Sequence, residues 1–264
     1  MEPHHPGLPA SLTLRREGDV AVLSLSRAAK RNALDDTTVL GLEHFFEDPP
    51  GWAKVVVLAA DGPHFCAGLD LGELAERDAV AGLHHSRMWH RAFSRIESGR
   101  LPVVSVLTGA VVGGGLELAA ATHLRVADDS AFFALPEGQR GLFVGGGASV
   151  RVPRLIGAHR MADMMLTGRV LTADEAEQRG LVHYRVPAGD GLAKALELAE
   201  KVAGNSTITN YAVLHALPQI AASAPEAGLL MESLMAAVAQ SSAEAKERMA
   251  DFLDGRAAKV GGAR

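Results

Sequence analysis

The sequence predicts an α/β fold with a helical C-terminal region, and three observations carry that reading. Short apolar, strand-like runs alternate with helical patterns over about the first 190 residues. From residue 158 onward helical patterning dominates, with one strand-like interruption at 180–186. A strand–strand–helix rhythm recurs roughly every 45 to 50 residues, without an exact repeat. The chain of 264 residues, 48% hydrophobic and 22% charged, is long enough for one large core. The expected division is a flexible N-terminal tail at 1–10, an α/β core at 11–200 and a helical region at 201–264 with no linker between the last two.

Taken in order, residues 11–16 and 20–25 alternate as strands around a Glu17-Gly-Asp19 turn, which reads as a hairpin. Ser26 to Leu34 carries three cations in five residues, Arg27, Lys30 and Arg31. Asp35 or Asp36 is placed to cap a helix to about Glu47, with Val39, Leu42, Phe45 and Phe46 on one face. Lys54–Ala60 is a continuous apolar run, as in a buried strand. After the Asp61-Gly-Pro63 turn come helical patterns near 72–77 and 79–98, then a strand at 102–108. A glycine corner leads into a helix to about Ala121, followed by strands at 123–127 and 131–135. A second glycine run, Gly145 to Gly147, opens a helix through Leu155. C-terminal helices carry apolar faces (Leu229, Leu230, Leu234, Met235, Val238) suited to a neighbouring subunit.

Bulk properties exclude several classes. A net charge of −5 argues against a nucleic-acid surface. With one cysteine, Cys66, no disulfide framework forms within the chain, and a reducing, cytoplasmic setting is expected. No run of about 18 apolar residues exists, so no membrane helix is expected. Met1 to Pro9 has neither an apolar core nor an Arg-rich signal and reads as a tail. His84, His85 and His90 lack carboxylate or cysteine partners at metal-ligand spacing, so no metal is expected. No Gly-x-Ser-x-Gly elbow is present.

The chemistry concentrates at Gly109-Ala-Val-Val-Gly-Gly-Gly-Leu-Glu-Leu118. Glycines 113–115 sit where a helix starts, where backbone N–H groups have no intrahelical partner and can face an anion. No Gly-Lys-Ser/Thr follows, so this is not a Walker loop. Glu117 falls in the first helical turn. Alone it would be a carboxylate favoured by the helix dipole, and Glu137 alone a solvated loop residue.

Three elements in this order and spacing resemble the crotonase (enoyl-CoA hydratase/isomerase) superfamily: Phe65-Cys-Ala-Gly-Leu-Asp-Leu71, Gly113-Gly-Gly-Leu-Glu-Leu118 and Pro136-Glu137. The glutamates are 137 − 117 = 20 residues apart, as in hydratases of that family. Lys30-Arg-Asn-Ala-Leu34 and Phe252 to Lys259 extend the likeness over nearly the whole chain. The resemblance implies a spiral of ββα turns capped by C-terminal helices, in homotrimers or dimers of trimers.

It also implies a site. The backbone amides of Leu69 and Gly114 would form an oxyanion hole for a thioester carbonyl. Glu117 and Glu137 would share the activation of water and the delivery of a proton, in roles the sequence does not separate. Lys30 and Arg31 would lie on the nucleotide side of an acyl-CoA substrate, Ala67, Asp70 and Leu71 along its adenine and pantetheine arm, and Gly113 and Pro136 at the thioester end; Lys259 is a candidate for a neighbour's CoA. Without the family, Asp70 reads as a helix cap, Leu69 and Cys66 as buried apolar residues, and Lys30 and Arg31 as a solvated cluster. No cofactor is implied, because coenzyme A is part of the substrate. Two departures bear on the acyl group: Leu69 stands where many relatives have Ala, and Arg140 where an apolar residue is usual. The implied activity is hydration of a 2-enoyl-CoA, with a double-bond isomerase and a catalytically silent acyl-CoA-binding protein as alternatives.

Overall fold

The computed structural model describes residues 5–70, 72 and 78–256. Leu71 and Lys259, and the helix expected near 72–77 apart from Gly72, lie outside the described residues. The chain divides into two compact units, one ending at Ala203 and the other beginning at Gly204.

The first unit is built on strands β1 (Leu12–Glu17), β2 (Val20–Leu25), β3 (Val55–Ala60), β4 (Val103–Leu107), β5 (Ala110–Val112), β6 (Leu124–Asp128), β7 (Phe132–Ala134), β8 (Leu171–Thr172) and β9 (Tyr184–Val186). They form a six-stranded sheet, β1-β2-β3-β4-β6-β9, and a three-stranded sheet, β5-β7-β8. The hairpin β1–β2 is antiparallel, and every later pairing of the large sheet is parallel. Its central strands are apolar on both faces because both faces are covered. Val55, Val57, Val104 and Val106 pack on one side with Ala195 and Leu198. Val56, Leu58 and Leu107 face the main core with Leu42, Phe45 and Phe93.

The unit's helices are α1 (Asp36–Glu47), α2 (Ala79–Glu97), α3 (Gly114–Ala120), α4 (Ala148–Ile156), α5 (Ala158–Thr167), α6 (Ala173–Gln178) and α7 (Gly191–Ala203). Asp35 caps α1 by accepting from the Thr38 amide at 2.8 Å, and α1 buries Val39, Leu42, Phe45 and Phe46 as its periodicity predicts.

Four local expectations change. The glycine corner is preceded by β5, three residues too short to show a period, which pairs with β7 in the second sheet. Gly109 makes the step from β4 to β5 with φ +50°, and a Cβ there would lie 2.2 Å from the Pro63 carbonyl oxygen. The two-residue β8 and a 3-10 turn at Pro136–Arg140 are likewise too short to read. The strand expected at 180–186 begins only at Tyr184, because Leu181 and Val182 donate back to the Ala176 carbonyl. The tail expected at 1–10 is anchored from His5, which is 8% exposed, lies 2.9 Å from the Asp48 carbonyl oxygen and packs on Phe45.

The second unit holds α8 (Thr207–Tyr211), a π-helical turn at Ala212–Ala216, α9 (Leu217–Ala222), α10 (Pro225–Ser241) and α11 (Ala243–Leu253). The π turn ends two residues before Pro218, whose missing N–H interrupts the i→i−4 ladder. On α10, Leu229, Leu230, Leu234 and Val238 are exposed.

Candidate active site

The chain passes from β5 through Gly113, at φ +53° and ψ −121°, into α3. The Gly113 amide donates to the Ala134 carbonyl at 2.9 Å, which ties the corner to β7. A Cβ on Gly113 would stand 2.6 Å from Glu137 Oε1, so only glycine lets that carboxyl approach. Every residue of α3 is buried, and Glu117 is 4% exposed.

Glu117 Oε1 accepts two backbone hydrogen bonds, from Gly146 at 2.7 Å and Ala148 at 3.1 Å. Both donors belong to the second glycine run and the start of α4. Burial pushes the Glu117 carboxyl above the ordinary glutamate range; the two amides pull against it, and the nearby Glu137 adds to the rise. Glu137 sits on the 3-10 turn after β7, half-buried. Its Oε2 is buried and has no hydrogen-bond partner among the described residues. Burial raises this carboxyl too, opposed in part by the Arg140 cation.

The segment 65–70 runs beside β5. Cys66 donates to the Ala110 carbonyl at 2.9 Å and accepts from the Val112 amide at 3.0 Å, while Gly68 accepts from Leu34 at 2.8 Å. Gly68 has φ +99°, and a Cβ on it would lie 2.9 Å from the Val112 oxygen and 3.4 Å from the Gly114 nitrogen. This close approach brings the amides of Leu69 and Gly114 together: a Cβ on Gly114 would be 3.5 Å from the Leu69 nitrogen. Neither amide donates to an acceptor among the described residues. Trp89 of α2 walls the corner, its ring 2.8 Å from where a Gly114 Cβ would be.

These groups line one cavity of about 430 Å³, within the size range of small-molecule sites. It brings together Ala67, Leu69, Gly113, Gly114, Glu117, Pro136 and Glu137 among the residues singled out by sequence. Leu142, Phe143 and Arg140 complete its wall, so Arg140 faces the space shared with Glu137.

Lys30, Arg31 and Asp70 are not part of that lining. Asp70 accepts from the Gly72 amide at 3.0 Å and pairs with Arg27 at 2.7 Å and Lys30 at 3.0 Å. These partners hold its carboxyl well below the usual range. Arg31 takes the left-handed φ of +51°, and its carbonyl accepts from the Ala67 amide at 3.0 Å. Beside it Asn32, 1% exposed, donates to the carbonyls of Asp61 and His64 and accepts from the Arg27 amide. Cys66 is buried with its thiol pushed up to about 12, which suits a packing role. Among the described residues no group of three His, Cys, Asp or Glu could hold a metal ion, and no helix is long and apolar enough to cross a membrane.

Sequence reasoning missed Trp89, Arg27 and the amides of Gly146 and Ala148. The Gly145–Gly147 run was the one available signal for the last two, and it read only as a helix start.

A buried and a half-buried carboxyl thus share one cavity with two converging amides at a glycine corner. It belongs to the enoyl-CoA hydratase/isomerase family, whose model matches residues 15–262. It is 32% identical over 249 residues to the 2,3-dehydroadipyl-CoA hydratase of Escherichia coli K12, covering 94% of this chain and 97% of that one. A crystal structure from Rhodopseudomonas palustris CGA009 superposes with a TM-score of 0.92 at 55% identity, covering 94% of this chain and 96% of that chain. The enoyl-CoA hydratase of Bacillus anthracis superposes with a TM-score of 0.87 at 30% identity, covering 93% and 97%.

Proposed function

We propose that the protein is an enoyl-CoA hydratase that adds water across the 2,3 double bond of a 2-enoyl-CoA thioester, or runs the reverse dehydration. The observation that carries this reading is the pair of carboxyls, Glu117 buried and Glu137 half-buried, on one cavity beside the converging amides of Leu69 and Gly114. Relatives over nearly the full length carry hydratase names, which supports the same reaction.

As water attacks the β-carbon, negative charge grows on the thioester oxygen. The Leu69 and Gly114 amides, fixed beforehand and free to donate, stabilise that charge more than the neutral carbonyl. The dipole of α3 adds to this field. Glu117 and Glu137 orient and deprotonate the water and return a proton to the α-carbon on the same face, a syn-type addition. Raised carboxyl affinities fit groups that must exchange protons near neutral pH. An isomerase would need only one of these acids.

On the nucleotide side, Lys30 and Arg31 supply cations for the CoA phosphates, with Ala67, Asp70 and Leu71 along the pantetheine arm and Gly113 and Pro136 at the thioester. The reaction uses no cofactor. The exposed leucines of α10 support assembly as a homotrimer or a dimer of trimers.

The test is the absorbance of a short 2-enoyl-CoA mixed with the enzyme. Hydration removes the conjugated chromophore. A chromophore that instead appears from a 3-enoyl-CoA assigns isomerisation, and no change with either thioester leaves a binding protein.

A further inference from the structure

We propose that Ser86 of α2 is a positioning residue for Glu117, acting through the single peptide group that joins Gly145 to Gly146. Ser86 Oγ donates to the Gly145 carbonyl oxygen at 2.6 Å. The N–H at the other end of that same peptide, on Gly146, donates to Glu117 Oε1 at 2.7 Å. Hydroxyl, peptide and carboxylate therefore form one head-to-tail chain.

Hydrogen bonds in such a chain polarise one another, so donation to the carbonyl makes the N–H a stronger donor to the carboxylate. The arrangement also fixes the plane of the peptide. Gly146 has no side chain to hold it, and a Cβ there would stand 2.8 Å from Glu117 Oε2 and 3.1 Å from Trp89. The hydroxyl of Ser86 is thus the group that orients this donor from the cavity side. Arg151 braces the next peptide, donating from Nη1 to the Gly146 carbonyl at 3.1 Å while paired with Glu97 at 2.8 Å.

With its proton given to Gly145, Ser86 Oγ is left as an acceptor toward His90 Nε2, 3.4 Å away. The charged and titratable groups facing this assembly are Glu137 on the 3-10 turn, Arg151 on α4, and His90 and Arg87 on α2. His85, next to Ser86, lines the same cavity and is paired with Asp36 at 2.7 Å. Of these, His90 also reaches the Gly145 backbone, as a second and weaker partner beside the 2.6 Å bond from Ser86. Loss of the hydroxyl removes the shorter bond to this carbonyl and leaves His90 alone on it, which weakens the donor to Glu117.

This rests on Glu117 being a proton-handling residue, so the test has a readout independent of turnover. The Glu117 carboxyl is followed by carbon NMR in selectively labelled protein, with E117Q for assignment, in wild type, Ser86→Ala and Ser86→Thr. Ser86→Ala is expected to raise the Glu117 titration midpoint by about half a pH unit and to move the Gly146 amide proton upfield. Turnover should fall about threefold to tenfold with KM within twofold, and Ser86→Thr should restore all three. A Glu117 midpoint and Gly146 shift in Ser86→Ala that match wild type overturn the proposal, whatever the activity. Should Ser86→Ala lose its cooperative thermal melt, Ser86→Cys, with its weaker donor, carries the same two outcomes. A wild type that hydrates no enoyl-CoA, together with a raised Glu117 midpoint in Ser86→Ala, refutes the hydratase reading and leaves the relay standing.

Discussion

The Gly146 amide lies 2.7 Å from one oxygen of Glu117, and a Cβ on the same residue would lie 2.8 Å from the other. Residue 146 thus holds the carboxylate with its backbone and would displace it with any side chain. Gly146→Ala is expected to lower turnover at least about tenfold, since small displacements of a positioned group are expensive in rate. Steady-state kinetics on a 2-enoyl-CoA checks this, with circular dichroism confirming the fold.

Replacing either acid by its amide isostere removes proton transfer and keeps the shape. Glu117→Gln and Glu137→Gln should each cut hydratase turnover by at least ~100-fold, the usual scale of acid–base assistance. Near-full activity in either variant would refute the assignment of that residue.

The same substitution at 137 has an opposite effect on stability. Glu137 has its folded-state affinity for protons raised above the ordinary 4.5, chiefly by burial. The folded state therefore binds more protons, and stability falls as pH rises from the unfolded value through the folded one. Glu137→Gln, which is neutral throughout, should melt about 2 °C higher than wild type at pH 8 and lose that advantage below about pH 4. Thermal melts across pH read the difference directly.

Asp70 works in the other direction. Its carboxyl is held low by the Gly72 amide, Lys30 and Arg27. The stability it contributes is present above its unfolded value of 3.8 and is lost as pH falls through the folded value. Asp70→Asn should be destabilised by about 1.5–3 kcal/mol at pH 7, the range for hydrogen bonds to charged groups. Urea titrations at pH 7 and pH 3 should show the gap to wild type narrowing at the lower pH.

Gly114→Ala tests the paired amides. The added methyl would meet Trp89 at 2.8 Å and stand 3.5 Å from the Leu69 nitrogen, beside the amides proposed to receive the thioester oxygen. A loss of about 100-fold in kcat is expected, comparable to removing one oxyanion donor. Pre-steady-state binding of a saturated acyl-CoA should be weakened far less.

Much of this was readable along the chain. The α/β class, the hairpin, the Asp35 cap and the buried faces of α1 follow from periodicity and cap chemistry, because those are local properties. Glu117 at a glycine-rich helix start was visible as a possible anion-site partner. Its pairing with Glu137 needed the resemblance, since spacing of 20 residues has no physical meaning until a loop is closed. What only the tertiary structure decided is how backbone groups converge. Leu69 and Gly114 come from segments 45 residues apart, as 114 − 69 shows, and meet because Gly68 permits the approach. Glu117 is held by amides 29 and 31 residues away, and Ser86 reaches the same peptide across 59. An amide looks alike at every position in a sequence. Only the packing of β5, α2 and α4 around the corner selects which amides face the carboxylate and which are left free.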